Sequence, residues 1–319
     1  MTLRLSDASI VDPSALRVAV VGSGVVGTAT GEGFRAKGHD VVFCDISPDR
    51  LALLRARGLR AIDADALAEE GADVYLISVP SPTVEGRVDL SYVLAASEAI
   101  GQAIGRHDSW PLVVVRSTVP PGTTEEHIAP TVAAAAGRAA GDGFGLCVNP
   151  EFLRELSAEE DFMNPRVIVI GARDARSEQA LRRVYAGWAD VPVVAMSIRA
   201  AELTKYTSNL FNATKISFFN EMEQVCQAMG VDARTIFDAV TRGAEGLWNA
   251  RYGTRGLFPY GGACLPKDTL GFLGFARDDG FDESMLMLRA TIETNERLAA
   301  AQGQVDLQSW REQEQAEAS

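Results

Sequence analysis

The chain has few of the residues that build metal centres and disulfide frameworks. Its 319 residues include only four cysteines and three histidines. The cysteines are Cys44, Cys147, Cys226 and Cys264. They are far apart in the sequence, and no two have the spacing of a zinc site. We therefore expect no metal, and a chain of this length, which suggests about two domains, can bury its cores without disulfides.

Long apolar runs and a basic excess are also missing. No run approaches the ~18 apolar residues of a membrane span, and Asp7 and Asp12 stand where a signal peptide would be apolar. A net charge of -13 argues against nucleic acid or an anionic membrane as the main partner, because both favour a basic face. We therefore expect a small molecule as the partner. The expected location is the cytoplasm, where thiols stay reduced.

The beginning of the chain has the pattern of a dinucleotide-binding unit. The apolar run from Arg17 to Val21 is followed at once by Gly22-Ser23-Gly24-Val25-Val26-Gly27, and a helical pattern extends from Thr28 to Lys37. A second apolar run, Val41 to Cys44, ends at Asp45. In this context the glycines allow a tight turn and let backbone N–H groups approach a pyrophosphate at a helix N-terminus.

Asp45 makes NAD the expected cofactor. Its carboxylate can bond the adenosine ribose hydroxyls and would repel the 2'-phosphate of NADP. Arg50, five residues further on, could soften that preference. The cofactor contacts predicted from this unit are Gly22, Gly24, Val25, Val26, Gly27, Asp45 and Arg50.

The order of the remaining elements predicts an α/β fold. Strand-like runs at 74–79, 112–115, 146–148 and 167–170 alternate mostly with helical patterns, which favours a doubly wound, Rossmann-like parallel sheet. From about Ser197 the pattern is helical, with one long helix from Ala200 to Met229. A helix of ~45 Å would reach beyond a small domain, so we expect part of it to pack against a second subunit in a homodimer.

The predicted domains are an NAD-binding domain at 1–196, an all-α central and dimerisation domain at 197–300, and a polar tail at 301–319. Three proline-containing loops are expected at the carboxyl ends of the strands, where such sheets bind ligands. They are Pro80 to Thr83, Ser117 to Thr123 and Asn149 to Glu155. Each presents hydroxyls or carboxylates beside the expected cofactor.

Two further groups carry candidate chemistry. Lys205 and Asn209 are four residues apart on the long helix and therefore share one face, although a solvated pair is the alternative. Cys264 stands among two glycines, a lysine and an aspartate in the segment Gly261 to Asp268. This setting is expected of a reactive thiol, which attacks as the thiolate and needs room and a nearby positive charge. A buried structural cysteine on a turn is the alternative.

Together these segments resemble the UDP-glucose/GDP-mannose dehydrogenase family. The matching segments are the turn Gly22 to Gly27, Ser117-Thr118-Val119-Pro120, Asn149 to Glu155, Lys205 with Asn209, Asn220-Glu221, and Gly261 to Asp268. Their order and spacing match from about Arg17 to Asn295. The resemblance implies an NAD-dependent, four-electron oxidation of a sugar or nucleotide-sugar primary alcohol to a carboxylate, through a thiohemiacetal and a thioester on Cys264.

The resemblance also implies roles for individual residues. Lys205 and Asn209 would stabilise the developing oxyanion, and Thr118 would hold a water. Whether Asp268, Glu151 or a water is the base in each step stays open. The implied catalytic residues are Thr118, Glu151, Lys205, Asn209, Cys264 and Asp268. The further cofactor contacts that it implies are Pro80, Thr83, Thr118, Glu155 and Lys267. The implied substrate contacts are Glu151, Phe152, Leu153, Lys205, Asn209, Arg255, Phe258 and Gly261.

The chain departs from the family pattern at its end. Members usually carry a third domain that grips the nucleotide, and none is predicted after Asn295. Three explanations of the missing domain are open: the chain is truncated, it acts on a smaller substrate that needs no third domain, or another polypeptide supplies that domain. We prefer a chain that is naturally short. Two other functions stay open. A two-electron dehydrogenase similar to the 3-hydroxyacid enzymes would need neither Cys264 nor Glu151, and a cofactor-binding remnant would have no turnover.

Overall fold

The computed structural model describes residues 15–254 and 256–302. Arg255 and both ends of the chain lie outside the described residues. The chain divides into two compact units, Met1–Asn209 and Leu210–Ser319, which we call the N-terminal and C-terminal units. The division falls within a single long helix, so one continuous element belongs to both units.

The N-terminal unit is built on an eight-stranded sheet. Its elements, in chain order, are β1 (Arg17–Val21), α1 (Val25–Ala36), β2 (Asp40–Asp45), α2 (Pro48–Ala56), β3 (Ala61–Asp63), β4 (Val74–Ile77), β5 (Thr83–Val84), β6 (Arg87–Val88), α3 (Ser91–Arg106), β7 (Leu112–Val115), α4 (Ala129–Ala136), β8 (Gly145–Val148), α5 (Ala158–Met163), β9 (Ile168–Ala172), α6 (Ala175–Val184), β10 (Val193–Met196) and the first part of α7 (Ile198–Met229). The order in the sheet is β10-β9-β8-β7-β4-β1-β2-β3, and β5 and β6 form a separate short hairpin.

The sheet has apolar side chains on both faces. In β1, Ala19 and Val21 belong to one core cluster, whereas Val18 and Val20 belong to the other. Residues of α3 and α4 join the first cluster, and residues of α1 and α6 join the second. Strands that are buried on both faces have continuous apolar sequences, which is why these runs were visible in the sequence. The predicted doubly wound α/β fold is confirmed.

Two strands run against the prediction of a parallel sheet. β9 pairs antiparallel with β8, and β10 pairs in parallel with β9, so both run opposite to the other six strands. A parallel neighbour requires a crossover that carries the chain back along the sheet. The connection between β8 and β9, residues 149–167, contains a 3-10 turn at Glu155–Ser157 and the six-residue α5. Because β9 is antiparallel to β8, β9 starts near the end at which β8 finishes.

Some element boundaries differ from the sequence prediction, and two edge strands of the sheet were not predicted. α1 begins at Val25, three residues earlier than expected, because the glycine turn leads directly into the helix. The edge strands β3 and β10 were not predicted, since each is short and only partly buried. The long helix is confirmed, and it extends from Ile198 to Met229.

The C-terminal unit is helical. It contains the second part of α7 followed by α8 (Ala233–Gly243), α9 (Glu245–Trp248), α10 (Leu265–Asp278) and α11 (Leu286–Gln302). Its buried apolar cluster is small and consists of Val225, Ala276 and Met285, with partly buried neighbours. No helix within residues 15–254 and 256–302 is long and apolar enough to cross a membrane.

Candidate active site

The turn between β1 and α1 requires glycine at Gly22 and Gly27, whereas its third glycine, Gly24, has free space around it. Gly22 has φ +91, and a Cβ there would lie 2.6 Å from the carbonyl oxygen of Ser78. A Cβ at Gly27 would lie 2.0 Å from the carbonyl oxygen of Gly22, so the helix can start this close to the strand only with glycine. A Cβ at Gly24 would meet nothing within 4 Å, so the backbone of Gly24 faces open space.

The start of α1 is suited to an anion. The N-cap residue Gly24 provides no side-chain cap, and the first turn of the helix contains no acidic residue. Val25 and Val26 are the first residues of the helix, and their N–H groups lie among those that have no partner within the helix itself. Such a helix N-terminus binds phosphate groups. The turn therefore fits the pyrophosphate of the predicted cofactor.

Asp45 ends β2 beside this turn. Its carboxylate accepts hydrogen bonds from the backbone N–H of Ser23 at 2.8 Å, from the hydroxyl of Ser23 at 2.7 Å and from the backbone N–H of Ser47 at 3.0 Å. Burial alone would raise the pKa of Asp45, but these hydrogen bonds outweigh it and lower the pKa below its usual value. Asp45 is thus held as an anion, which is the state that ribose recognition needs. Arg50 is half-buried on α2.

The loops that follow β4 and β7 are tied to each other. The Ser81 hydroxyl donates to the Thr118 carbonyl oxygen at 2.6 Å, and the Ser117 hydroxyl donates to the Val79 carbonyl oxygen at 2.6 Å. Thr118 is half-buried, whereas Pro80 and Thr83 are exposed. These bonds hold Thr118 at a defined place at the carboxyl edge of the sheet.

Lys205 and Glu151 form a buried ion pair. Lys205 Nζ lies 2.8 Å from Glu151 Oε1, and the two side chains are only 10% and 11% exposed. Glu151 Oε2 accepts a hydrogen bond from the Leu153 N–H at 2.6 Å, and Lys205 Nζ lies 5.8 Å from the centre of the Phe152 ring. Helix α7 thus brings Lys205 to the loop that follows β8. Two residues predicted from separate segments are in direct contact.

Glu202, which the sequence analysis missed, joins α7 to the Thr118 loop. It lies one helical turn before Lys205 and is 2% exposed. Its carboxylate accepts hydrogen bonds from the Gly122 N–H at 2.5 Å and from the Thr124 N–H at 2.8 Å. A carboxylate in this position caps the helical segment that begins at Thr124. The signal in the sequence was the three-residue spacing from Lys205, which puts both side chains on one face.

A buried polar cluster fixes the start of the loop that carries Glu151. Asn149 Oδ1 accepts hydrogen bonds from the Arg116 guanidinium at 2.5 Å and from the Tyr185 hydroxyl at 2.6 Å. Asn149 Nδ2 donates to the Val169 carbonyl oxygen at 2.8 Å. Burial raises the pKa of Tyr185, so its hydroxyl remains a donor at neutral pH. The loop therefore starts from a rigid point in the core.

The remaining predicted residues of the N-terminal unit are more open. Asn209, one turn after Lys205 on α7, is exposed, and so is Glu155, which begins a short 3-10 turn. Phe152 is 36% exposed, and Leu153 is half-buried. These positions leave polar and apolar side chains available to a ligand beside the buried ion pair.

Cys264 is the N-cap residue of α10 in the C-terminal unit. The Asp268 N–H donates to the Cys264 carbonyl oxygen at 2.8 Å, which closes the first turn of the helix. Gly262, two residues earlier, has φ +78, a conformation that glycine adopts without strain. The N-terminus of a helix favours anionic groups, a thiolate among them. The segment therefore presents the thiol at a place that suits a nucleophile.

The other three cysteines differ from Cys264 in exposure. Cys44, Cys147 and Cys226 are buried, whereas Cys264 is exposed. Burial, with a smaller contribution from Asp45, raises the pKa of Cys44 to about 12, and burial also raises the pKa of Cys147. Both stay protonated at neutral pH and behave as apolar core residues.

The other predicted residues of the C-terminal unit surround Cys264 in sequence. Lys267 and Asp268 are exposed, and their side chains form an ion pair with each other. Phe258 is 41% exposed, and Gly261 is half-buried. Arg255, a predicted substrate contact, lies outside the described residues.

Comparison with known families matches both units. The NAD binding domain of the UDP-glucose/GDP-mannose dehydrogenase family matches residues 57–189, and the central domain of the same family matches residues 199–297. The first match begins after the glycine turn and Asp45. The cofactor site at that turn is therefore supported by its geometry and not by this match.

Individual proteins give the same result. The chain is 33% identical to the UDP-glucose 6-dehydrogenase AglM of Haloferax volcanii over 305 residues, which is 88% of this chain and 70% of the relative. It is 35% identical to a GDP-mannose 6-dehydrogenase of Pseudomonas syringae pv. tomato over 274 residues, 79% of this chain and 62% of the relative. A ternary complex of GDP-mannose dehydrogenase from Pseudomonas aeruginosa superposes with a TM-score of 0.81 and 31% identity, covering 89% of this chain and 69% of that one.

The chain therefore spans between 62% and 70% of the length of these relatives. The matches confirm the predicted NAD-dependent dehydrogenase class and NAD as the cofactor of that class. On the family matches and the identity to full-length relatives, the chain belongs to the UDP-glucose/GDP-mannose dehydrogenase family.

Proposed function

We propose that this chain catalyses the NAD-dependent, four-electron oxidation of the primary alcohol of a nucleotide sugar to a carboxylate, with Cys264 as the covalent centre. The observation that carries the proposal is the exposure of Cys264 at the N-terminus of α10, in contrast to the burial of the other three cysteines. A two-electron oxidation needs no thiol acceptor, so an exposed thiol at a helix N-terminus favours the double oxidation.

The glycine turn and Asp45 hold the cofactor in this proposal. The backbone N–H groups of Gly24, Val25 and Val26 face the pyrophosphate, and Asp45 bonds the adenosine ribose. The further contacts are Gly22, Gly27, Arg50, Pro80, Thr83, Thr118, Glu155 and Lys267. NAD+ held by these residues would supply the hydride acceptor, and two successive molecules of NAD+ would account for the four electrons.

Lys205 and Asn209 stabilise the oxygen of the substrate as the first hydride leaves. The alcohol loses its hydroxyl proton and a hydride, and an aldehyde results. The buried Lys205–Glu151 pair supports this role, because a cation that is already oriented in a water-poor site loses little in reorganisation. Glu151 keeps the ammonium in place and is a candidate proton acceptor.

Cys264 acts on the aldehyde. Its thiolate forms a carbon–sulfur bond to the carbonyl carbon, and the oxygen takes up a proton to give a thiohemiacetal. Loss of that proton and of a second hydride from the same carbon leaves a thioester on Cys264. Water then attacks the thioester, the carbon–sulfur bond breaks, and the carboxylate product and the free thiol result. Glu151, Asp268 and a water held by Thr118 are the candidates for removing the proton of the attacking water.

The proposed substrate contacts are Glu151, Phe152, Leu153, Lys205, Asn209, Arg255, Phe258 and Gly261. The relatives are named for UDP-glucose and for GDP-mannose, so we propose a nucleotide diphosphate sugar of this kind as substrate. The cytoplasm is the proposed location, because Cys264 must remain a reduced thiol.

The domain division and a homodimer complete the proposal. The NAD-binding domain comprises residues 1–196, the central and dimerisation domain residues 197–300, and the tail residues 301–319. The second part of α7 supports a dimer through this helix, because large apolar side chains are exposed along it. They are Leu210, Phe211, Ile216 and Phe218, with exposures between 46% and 63%.

Counting NADH for each substrate molecule consumed tests the proposal. Substrate is first found by thermal stabilisation in the presence of NAD across a panel of nucleotide sugars, nucleosides and free sugars, because selective binding raises stability. Two NADH per carboxylate formed is the expected result. One NADH with a stable aldehyde or ketone product would instead support a two-electron dehydrogenase. NAD binding with no NADH formed on any member of the panel would support a non-catalytic remnant.

A further inference from the structure

The backbone just before Cys264 is held by a side chain from another helix. The Tyr260 N–H donates to Asn295 Oδ1 at 2.6 Å, and Asn295 Nδ2 donates to the Tyr260 carbonyl oxygen at 3.1 Å. Tyr260 lies four residues before Cys264, and Asn295 lies on α11. A single amide side chain thus satisfies both the donor and the acceptor of one backbone residue, as a neighbouring strand would do.

Helix α11 is itself anchored. Glu221 on α7 is 6% exposed, and its carboxylate accepts hydrogen bonds from the Met287 N–H at 2.6 Å and from the Leu288 N–H at 3.1 Å. These N–H groups belong to the first turn of α11, so Glu221 caps this helix from α7. Asn295 therefore projects from a helix whose start is fixed by a buried charged group.

The segment between Tyr260 and Cys264 is short and can change conformation. It contains Gly261, Gly262 and Ala263, and Gly262 has φ +78. Glycine has more accessible backbone conformations than any other residue, so this segment does not fix its own shape. Its far end is fixed by α10, which begins at Leu265 with Cys264 as its N-cap. Its near end is fixed by the two hydrogen bonds to Asn295.

We propose that Asn295 is a positioning residue that fixes the Cys264 segment by holding the backbone of Tyr260. The proposal rests on the proposed function, in which Cys264 must reach an aldehyde carbon. Asn295 does not take part in the chemistry itself. It reduces the number of conformations of residues 260–264, and correct placement of a nucleophile contributes strongly to the rate of its reaction.

Hydrogen exchange of the Asn295→Ala variant tests the positioning directly. The Tyr260 N–H loses its acceptor, so we expect exchange of the peptides that cover residues 258–264 to accelerate about tenfold or more. Exchange of α10 and of the N-terminal unit is expected to stay within about twofold. Arg297→Ala is the matched control, because Arg297 lies on the same helix and pairs with the exposed Glu293. It is expected to leave the 258–264 peptides unchanged.

Asn295→Asp separates the two hydrogen bonds. An ionised aspartate can accept from the Tyr260 N–H but places an oxygen against the Tyr260 carbonyl oxygen. A protonated aspartate has one acceptor and one donor, as asparagine has. The quantity to measure is the ratio of the exchange rate of residues 258–264 in Asn295→Asp to the wild-type rate at the same pH. We expect this ratio to be well above one at neutral pH and to approach one as the pH falls. A ratio that does not depend on pH would contradict the two-bond arrangement.

Product analysis connects the positioning to the reaction. If the chain oxidises a nucleotide sugar, Asn295→Ala should leave the first hydride transfer within about threefold and slow the step that uses Cys264 by tenfold or more, so that aldehyde can be trapped. Unchanged exchange at 258–264, or acceleration spread equally over α10 and α11, would overturn the inference. An inactive wild-type protein would refute the proposed function alone, and the exchange measurements would still decide the role of Asn295.

Discussion

The two units differ in the size of their apolar cores and in how deeply their candidate catalytic side chains are buried. In the N-terminal unit, two large core clusters cover the sheet, and the ion pair of Lys205 and Glu151 is almost entirely buried. In the C-terminal unit the buried apolar cluster consists of three residues, and Cys264, Lys267 and Asp268 are all exposed. Proton transfer and oxyanion stabilisation benefit from fixed, water-poor groups, whereas a thiol that must reach a bound aldehyde benefits from access.

The two units also differ in how completely their apolar side chains are covered, which bears on the stability of each unit. The sheet of the N-terminal unit is covered by apolar side chains on both faces, whereas several large apolar side chains of the C-terminal unit face solvent in the single chain. Exposed apolar patches of this kind mark interfaces. In the homodimer that we propose, the C-terminal unit is therefore expected to gain the most stability from the partner subunit.

The largest expected effect concerns the buried ion pair of the N-terminal unit. Lys205→Ala should lower kcat by roughly 10²- to 10³-fold, because it removes the cation that we propose to stabilise the developing oxyanion. It also leaves Glu151 buried without its partner, which should cost about 3–5 kcal/mol of stability. Steady-state kinetics and urea unfolding measure the two effects. Lys215→Ala, an exposed lysine on the same helix, is the control and should change neither. A kcat within tenfold of the wild type would contradict the role of Lys205.

The next effect concerns the open C-terminal unit. Phe211→Glu places a charge among the exposed apolar residues of α7, and we expect the dimer dissociation constant to rise by roughly 100-fold, because a charge buried at an interface is costly. Sedimentation velocity over a range of concentrations measures it. Leu53→Glu is the matched control, since Leu53 is a 51% exposed apolar residue of the N-terminal unit. A dimer that survives Phe211→Glu, or is lost equally in Leu53→Glu, would place the interface elsewhere.

A smaller effect is expected at the cofactor site. Asp45→Asn removes the charge that we propose to discriminate against NADP, so NAD affinity should fall about tenfold and NADP affinity should rise relative to NAD affinity. Calorimetric titration of both cofactors tests this, with Asp49→Asn, an exposed acid on α2, as control. Equal discrimination in the Asp45→Asn protein would assign cofactor choice to another residue.

Asp45 also predicts a pH dependence. Its folded pKa is lowered, so its contribution to stability is complete above the unfolded pKa, near ~3.9. The contribution is lost as the pH falls through the lower folded pKa. The wild type should therefore be more stable than Asp45→Asn at neutral pH, and the difference should vanish in acid. Urea midpoints measured from neutral pH downwards check the sign.

The sequence predicted the elements of the fold well where one local pattern determines them. The glycine turn, Asp45 and the spacing of Lys205 and Asn209 each depend on a few neighbouring residues and a known period. The reversed direction of β9 and β10 was missed because an apolar run predicts a strand but not the direction of that strand in the sheet. Glu202 and Asn295 were missed as partners because their hydrogen bonds join residues 80 and 35 positions apart. Only the folded chain brings such groups together.

The exposure of Cys264 was likewise beyond the sequence. A thiol beside glycines and a lysine is compatible with a buried turn, and Cys44, Cys147 and Cys226 show how often a cysteine is a core residue. The difference lies in the helix that begins at Leu265 and leaves its N-cap residue open. Solvent exposure is a property of the packed unit, and the segment alone does not determine it.

The most direct test of the covalent centre is the number of NADH molecules formed per substrate molecule by the wild type and by Cys264→Ser. We expect two NADH for the wild type and one for the variant, with the aldehyde recovered by trapping, because a serine hydroxyl adds to the aldehyde far more slowly than a thiolate does. Cys147→Ala, which changes a buried thiol, should still give two. Two NADH from Cys264→Ser at the wild-type rate, or only one from the wild type, would contradict the account.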